Sequence, residues 1–461
     1  MNKRKVLLFL GFFSVCLAPA SFADSGSATV PAGATGTVGA TGTVGATGTV
    51  GATGTAEISA AKPLANTVIQ IWLWGGPSQI DTFDPKPDAG PDYTGPYATD
   101  IATDVAGIRV GQKLPLLASM ADKYSIIRSM SHGVNAHETA SYIMQTGHES
   151  GGLVYPSLGA VVSYFKPRET GRKLPPYVVL TETQGRFAEE GFLGPKYKPF
   201  YTGGDPAKTP FLVEGIITDG ITDARQRTRH DLLHAMDTFG NAASGDPAMA
   251  AYSKAEDGAY QMILGSDRDV FDLSKESDAT RDRYGRNTFG QSCLSARRLV
   301  ESGVTYITIN YNGWDTHKKH FSAMNQKLPE FDQGLSALIS DLDTRGLLDT
   351  TIVWCGGEFG RAPKISWEAP WDGGRNHFGA AFSYLIAGGG FAGGKVVGAT
   401  DAHAEKVTER PVYPKDLLSS ILVRLGIDPA KTYPDGPAKG QPIMPPVSDK
   451  SGAGILKELM P

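Results

Sequence analysis

Residues 304–317 read Val-Thr-Tyr-Ile-Thr-Ile-Asn-Tyr-Asn-Gly-Trp-Asp-Thr-His. A nearly unbroken β-branched and aromatic run of this kind predicts a strand buried on both faces. That in turn predicts a parallel sheet covered by helices. In such sheets the ligand site lies beyond the carboxyl ends of the strands. Asp315 and His317 follow the run after Asn312-Gly313 and fall at that edge.

The same order of strand, glycine turn and ligand-type side chain recurs along the chain. A strand over 67–74 runs into Gly75-Gly76-Pro77-Ser78 and then Asp81 and Asp84; a capped turn competes evenly with a functional role for Asp81 and is the plainer reading of Asp84. A strand over 124–130 leads to His132, Asn135 and His137, followed by a helix that stops at Gly147. A strand over 350–355 leads to Glu358 and Arg361. Gly373-Gly374 precedes Arg375, Asn376 and His377, ahead of an apolar strand over 383–387.

If the sheet is parallel, these loops meet at one rim. Asp81, Asp315, His317, Glu358 and His377 are then the candidate metal ligands, and a mixed His/carboxylate set suits Zn²⁺ or Mn²⁺ first, with Fe as a further candidate. Such an ion stabilises charge on a phosphoryl or sulfuryl oxygen. Arg361 and Arg375 are expected to hold an anionic oxygen. His137, in the first turn of a helix, is expected to act in catalysis with Arg361, since a helix amino terminus suits anions. His132, Asn135, Arg375 and Asn376 are expected to contact substrate. His230 and His234 lie four apart on a predicted helix over 223–241, a spacing that can bind a metal. Mixed charges around them favour an exposed helical face instead.

The amino terminus reads as an export signal over 1–23, with Lys3-Arg4-Lys5, an apolar stretch over 6–17 and Ser21-Phe22-Ala23 before cleavage. The protein is therefore expected to be periplasmic or secreted. The apolar stretch is too short to span a bilayer, and no later segment reads as a membrane span. Residues 24–63 contain four copies of a Gly-Ala-Thr-Gly-Thr-Val hexapeptide, the last ending in Ala56, and read as a flexible linker, with a collagen-like trimer as the competing reading. Residues 64–461 are expected to form one α/β domain. A formal net charge of −4 argues against a nucleic-acid partner. Beyond the signal only Cys293 and Cys355 remain, in predicted core elements, so two buried thiols are expected rather than a disulfide.

Residues 66–428 resemble the family called domain of unknown function 1501, a sulfatase-like branch of the alkaline phosphatase superfamily. The resemblance is carried by Gly75-Gly76-Pro77-Ser78 with Asp81-Thr82-Phe83-Asp84-Pro85, and by Tyr284-Gly285-Arg286 and Phe289-Gly290-Gln291. Gly313-Trp314-Asp315-Thr316-His317, Gly357-Glu358-Phe359-Gly360-Arg361 and Gly388-Gly389-Gly390 complete it. It implies a three-layer α/β/α sandwich with a mostly parallel central sheet, alkaline-phosphatase-like, acting on a small or polymeric anionic ester. The superfamily is similar in placing a nucleophile at a helix start, and that position is His137 here. Where the family often has Asp before the late histidine, this chain has Asn376. Two readings follow: an exported metal-dependent phosphate or sulfate ester hydrolase, or a binding or scaffold protein that keeps the fold without turnover.

Overall fold

The computed structural model describes residues 64–167, 174–181, 189–237, 246–446 and 454–461. By its contacts the chain divides into residues 1–57 and 58–461. The expected signal and hexapeptide linker lie outside the described residues.

The central sheet has eight strands: β1 (Thr67–Trp72), β2 (Tyr124–Met130), β3 (Tyr177–Leu180), β4 (Phe200–Tyr201), β5 (Tyr306–Asn310), β6 (Thr351–Gly356), β7 (Phe382–Ala387) and β8 (Val396–Val397). Their spatial order is β8-β2-β7-β6-β1-β5-β3-β4. Only β7 runs against its neighbours; every other pairing is parallel. The longer helices are α1 (His137–Thr146), α2 (Leu158–Phe165), α3 (Asp223–Met236), α4 (Pro247–Leu264), α5 (Asp278–Tyr284), α6 (Thr288–Glu301), α7 (His320–Thr344) and α8 (Pro414–Arg424).

Alternate strand residues feed two separate cores, which makes the three layers. Ile69 and Ile71 of β1 and Ile307 and Ile309 of β5 join Leu294 and Leu299 of α6 and Leu335 and Leu338 of α7. On the other face Val68, Trp72, Tyr306 and Trp354 join Leu158 and Val161 of α2 and Leu417 and Ile421 of α8. Every residue of β1 and β5 is buried, as the run at 304–317 requires. Fully burying one such aliphatic side chain stabilises by about 1.5–3 kcal/mol, so the sheet centre is the most strongly held part of the fold. A buried polar contact crosses its centre: Gln70 Oε1 accepts from Tyr306 Oη and Thr308 Oγ1, both at 3.1 Å.

Cys293 and Cys355 are free and buried. No helix among the described residues is long and apolar enough to cross a membrane. α7 begins at His320 and runs through Pro329, ahead of the apolar repeat Leu328, Phe331, Leu335, Leu338 and Leu342 that marks it in the sequence. Its first turn is tied down by His320, a buried side chain held by Thr316 nearby and by Asp81, 239 residues away.

Candidate metal centre

Four of the parallel strands exit on one edge, and β7, being reversed, enters there. The exits of β1, β2, β5 and β6 and the entry to β7 deliver Gly75, His137, Asp315, Glu358 and His377 to the same place. Gly75 lets the chain turn close to Asp315: its φ is +107°, and a Cβ there would stand 2.1 Å from the Asp315 backbone nitrogen. Its own N–H donates to Glu358 Oε1 at 2.9 Å.

Asp315 is the hub. Its Oδ1 lies 3.1 Å from His317 Nε2 and 3.2 Å from His377 Nε2, and those two nitrogens are 2.8 Å apart. Its Oδ2 lies 3.4 Å from His137 Nε2. The opposite nitrogen of each ring is held by an acceptor. His137 Nδ1 donates to Glu358 Oε1 at 2.6 Å, His317 Nδ1 to Asn376 Oδ1 at 3.1 Å, and His377 Nδ1 to the Asn135 carbonyl at 2.8 Å. Ligating histidines characteristically bind through one nitrogen while the other donates to such a partner. Ligand atoms about 2.1 Å from a shared ion stand roughly 3.0–3.4 Å from one another at octahedral to tetrahedral angles. The two Asp315 contacts, at 3.1 and 3.2 Å, fall in that range and the histidine pair, at 2.8 Å, just below it; the donor set is one that suits a divalent transition metal.

Electrostatics follow the same contacts. Burial opposes charge on Asp315, but the His137, His377 and Arg361 side chains around it outweigh that and hold the carboxyl far below the usual range. Burial also works against protonation of His137, yet its bonds to Asp315 and Glu358 push it up to about 9. His317 is drawn down, chiefly by burial, with the Asp315 charge opposing. The Asp315 side chain remains 40% exposed, so a ligand can reach it. Trp74 stacks on His137 with centroids 5.3 Å apart, and Phe359 stacks on His377 at 4.6 Å. The sequence reading missed both rings, although each sits in a strand-exit motif.

Three expected site residues are placed differently. Asp81 is buried, with His320 Nε2 at 2.8 Å and Arg375 Nε at 3.1 Å from its Oδ2. It forms a closed ionic group with those residues instead of joining the Asp315 cluster. Arg375 has no exposed side-chain surface; besides Asp81 it donates to the carbonyls of Ala362 at 3.1 Å and Tyr93 at 2.6 Å, and to that of Pro363. A guanidinium so enclosed has nothing to offer a substrate. Arg361 is equally enclosed: it donates to Asp315 Oδ1 at 2.5 Å, to the Gly76 and Arg375 carbonyls at 3.2 and 3.1 Å, and to Gly75 O. It positions Asp315. Buried charges demand partners of this kind.

The expected substrate contacts also support the framework. His132 Nε2 donates to the Glu358 carbonyl at 2.7 Å, and burial lowers its pKa. Asn135 Oδ1 accepts from Gly379 N at 2.7 Å. His132 further lines a cleft of about 950 Å³ with Thr139, Ile143, Glu149, Tyr413 and Lys415. This cleft flanks the cluster.

In fold the chain is similar to several solved structures. They include lipoteichoic acid synthase LtaP from Listeria monocytogenes (9% identity, TM-score 0.36, covering 79% of this chain and 72% of that one). Phosphonate monoester hydrolase SpPMH from Silicibacter pomeroyi is similar at 11% identity and TM-score 0.35, covering 79% and 74%. PsFucS1 sulfatase from Pseudoalteromonas sp. is similar at 13% identity and TM-score 0.35, covering 79% and 68%. Likeness this distant leaves the chemistry to be argued from the side chains above. No curated protein matches the sequence. The model of the family described as "Protein of unknown function (DUF1501)" matches residues 65–444, and the chain belongs to that family.

Proposed function

We propose that the protein is an exported, metal-dependent hydrolase of phosphate or sulfate esters. The observation that carries this reading is the facing of His317 Nε2 and His377 Nε2, 2.8 Å apart, across Asp315 Oδ1. With both Nδ1 atoms donating elsewhere, each Nε2 presents a lone pair, and the two repel unless a cation lies between them. Asp315, His317 and His377 would hold a divalent ion, Zn²⁺ or Mn²⁺ first, with Glu358 behind His137. When bound, that ion supplies charge stabilisation at a phosphoryl or sulfuryl oxygen.

The remaining roles belong to the chain itself. His137, at the first position of α1, carries a proton held between Asp315 and Glu358 and is placed to give it to a departing alkoxide. The positive dipole end of that helix favours an anion nearby. Arg361 keeps Asp315 charged and fixed. Trp74 and Phe359 shield the two rings from water. The flanking cleft is offered as the place for the alcohol portion of the ester.

One observation favours the second reading, a binding protein without turnover: α1 begins with an imidazole, and its nearest hydroxyl, Thr139, points to the cleft lining. Elemental analysis of purified protein, with a panel of phosphomonoester, phosphodiester and sulfate-ester substrates, separates the two. The hydrolase reading expects hydrolysis that disappears, and one equivalent of bound metal that is lost, in Asp315→Ala and His377→Ala. Undiminished hydrolysis in those variants refutes it, and stoichiometric metal with no turnover on any ester selects the binding protein. Export is tested by sequencing the amino terminus of the mature protein, which should begin at Asp24.

A further inference from the structure

Away from this centre, α3 and α4 carry a second group of ligand-type atoms. His230 and His234 stand one turn apart on α3, on one helix face, and their Nε2 atoms are 2.9 Å apart. Asp257 of α4 completes the group, with all three ligand atoms within 4.8 Å of one another. Tyr260, three residues beyond Asp257, sets its ring edge-on to His230 at a centroid distance of 4.2 Å and limits its rotation. Asp231 Oδ1 lies 3.5 Å from His230 Nδ1. That neighbour favours the proton on Nδ1 and leaves the Nε2 lone pair facing His234, the arrangement of a ligating histidine.

We propose that His230, His234 and Asp257 form a separate site for a borderline divalent transition-metal ion of the Zn²⁺ or Ni²⁺ class, and that the ion clips α3 to α4. Two imidazoles with one carboxylate select such ions over Mg²⁺ and Ca²⁺, which take oxygen ligands. All three side chains are half-buried or exposed, so the ion has an open path and water fills its other positions. The fold gives the clip a purpose. α3 buries none of its residues, so apolar packing does little to hold it. Its first turn is anchored by Arg268, which donates to both Asp223 oxygens at 2.7 Å, and the proposed ion would anchor its third.

The site is tested by equilibrium dialysis against Zn²⁺, with the metal content read by elemental analysis. The proteins compared are wild type, His234→Ala, Asp257→Asn, Asp315→Ala and the Asp315→Ala/His234→Ala double variant. The expectation is one equivalent lost in His234→Ala whether or not Asp315 is present, and about a tenfold or greater loss of affinity at this site in Asp257→Asn. Zn²⁺ should also raise the melting temperature of Asp315→Ala but not of the double variant. Unchanged Zn²⁺ content in His234→Ala overturns the site, leaving an imidazole–imidazole hydrogen bond. Unchanged affinity in Asp257→Asn overturns the interhelical clip, leaving a histidine pair on one helix.

Discussion

His317 donates from Nδ1 to the side-chain oxygen of Asn376 at 3.1 Å, so the residue that stands beside His377 in sequence supports the other histidine of the pair. The amide thus does not act as a ligand; it fixes a tautomer and a ring orientation. Partners of this kind typically change metal affinity 10- to 100-fold when removed. Asn376→Ala is expected to weaken metal binding at the Asp315 centre by about that factor with little change in melting temperature. Asn376→Asp is expected to tighten it by up to about tenfold, because a carboxylate makes His317 more basic. Competition against a chromogenic chelator measures both. Equal affinities across the series would show that Asn376 does not act through His317.

Asp81, His320 and Arg375 make the contrasting case. All three are buried, and Asp81 is the shared partner of the other two. Removing one member of a buried ionic group strands the rest and costs about 3–5 kcal/mol. Arg375→Ala and Asp81→Ala are therefore expected to lose that much stability in denaturant unfolding. The soluble fraction should still bind metal at the Asp315 centre. Loss of the metal at unchanged stability would return Asp81 to the ligand set.

Gly75 couples β1 to the hub. At a φ of +107° with the Asp315 backbone 2.1 Å from any added Cβ, no side chain fits without moving one strand exit against the other. Positive φ alone costs a non-glycine residue about 1–2 kcal/mol, and the displacement of Asp315 adds to it. Gly75→Ala is expected to lower both stability and metal affinity, although the substituted atom carries no charge. Isothermal titration with Zn²⁺ alongside thermal unfolding reads the two effects together. A variant that binds Zn²⁺ like wild type would show the backbone approach to be slack.

Much of this fold could be read from sequence because the central strands are buried on both faces, so each announces itself as an apolar run. The rim could be read because glycine turns separate those runs from Asp315 and Glu358, and because two histidines follow the strand at 124–130 in one short loop. β4 and β8 could not, since two residues are too few to show a period. The start of α7 was hidden because the buried His320 is polar and Pro329 interrupts the helical signal. The misplacement of Asp81, Arg361 and Arg375 has one cause. Whether a charge near a strand end is enclosed depends on partners such as Asp81 and Arg375, which are 294 residues apart. No local pattern encodes that pairing.

Asp332 gives the fold a pH dependence independent of the metal centre. It lies on α7, only 2% exposed, and accepts from the backbone N–H groups of Leu116 and Leu117, both at 2.8 Å. Burial raises its pKa to about 6, against the opposing pull of those two bonds. The native state therefore keeps a proton that the unfolded chain releases near pH 4, and native stability falls as the pH rises between those values. The contribution is fully present below about pH 4 and gone above about pH 6. A shift of this size corresponds to at most roughly 3 kcal/mol. Asp332→Asn cannot ionise and keeps one acceptor for the two N–H groups. Its melting temperature relative to wild type is expected to rise steadily from pH 4 to pH 6 and then level off. A difference that stays flat across that interval would mean that Asp332 is charged in the native protein throughout, with the helix start at Pro115–Ala118 stabilising the carboxylate against its burial.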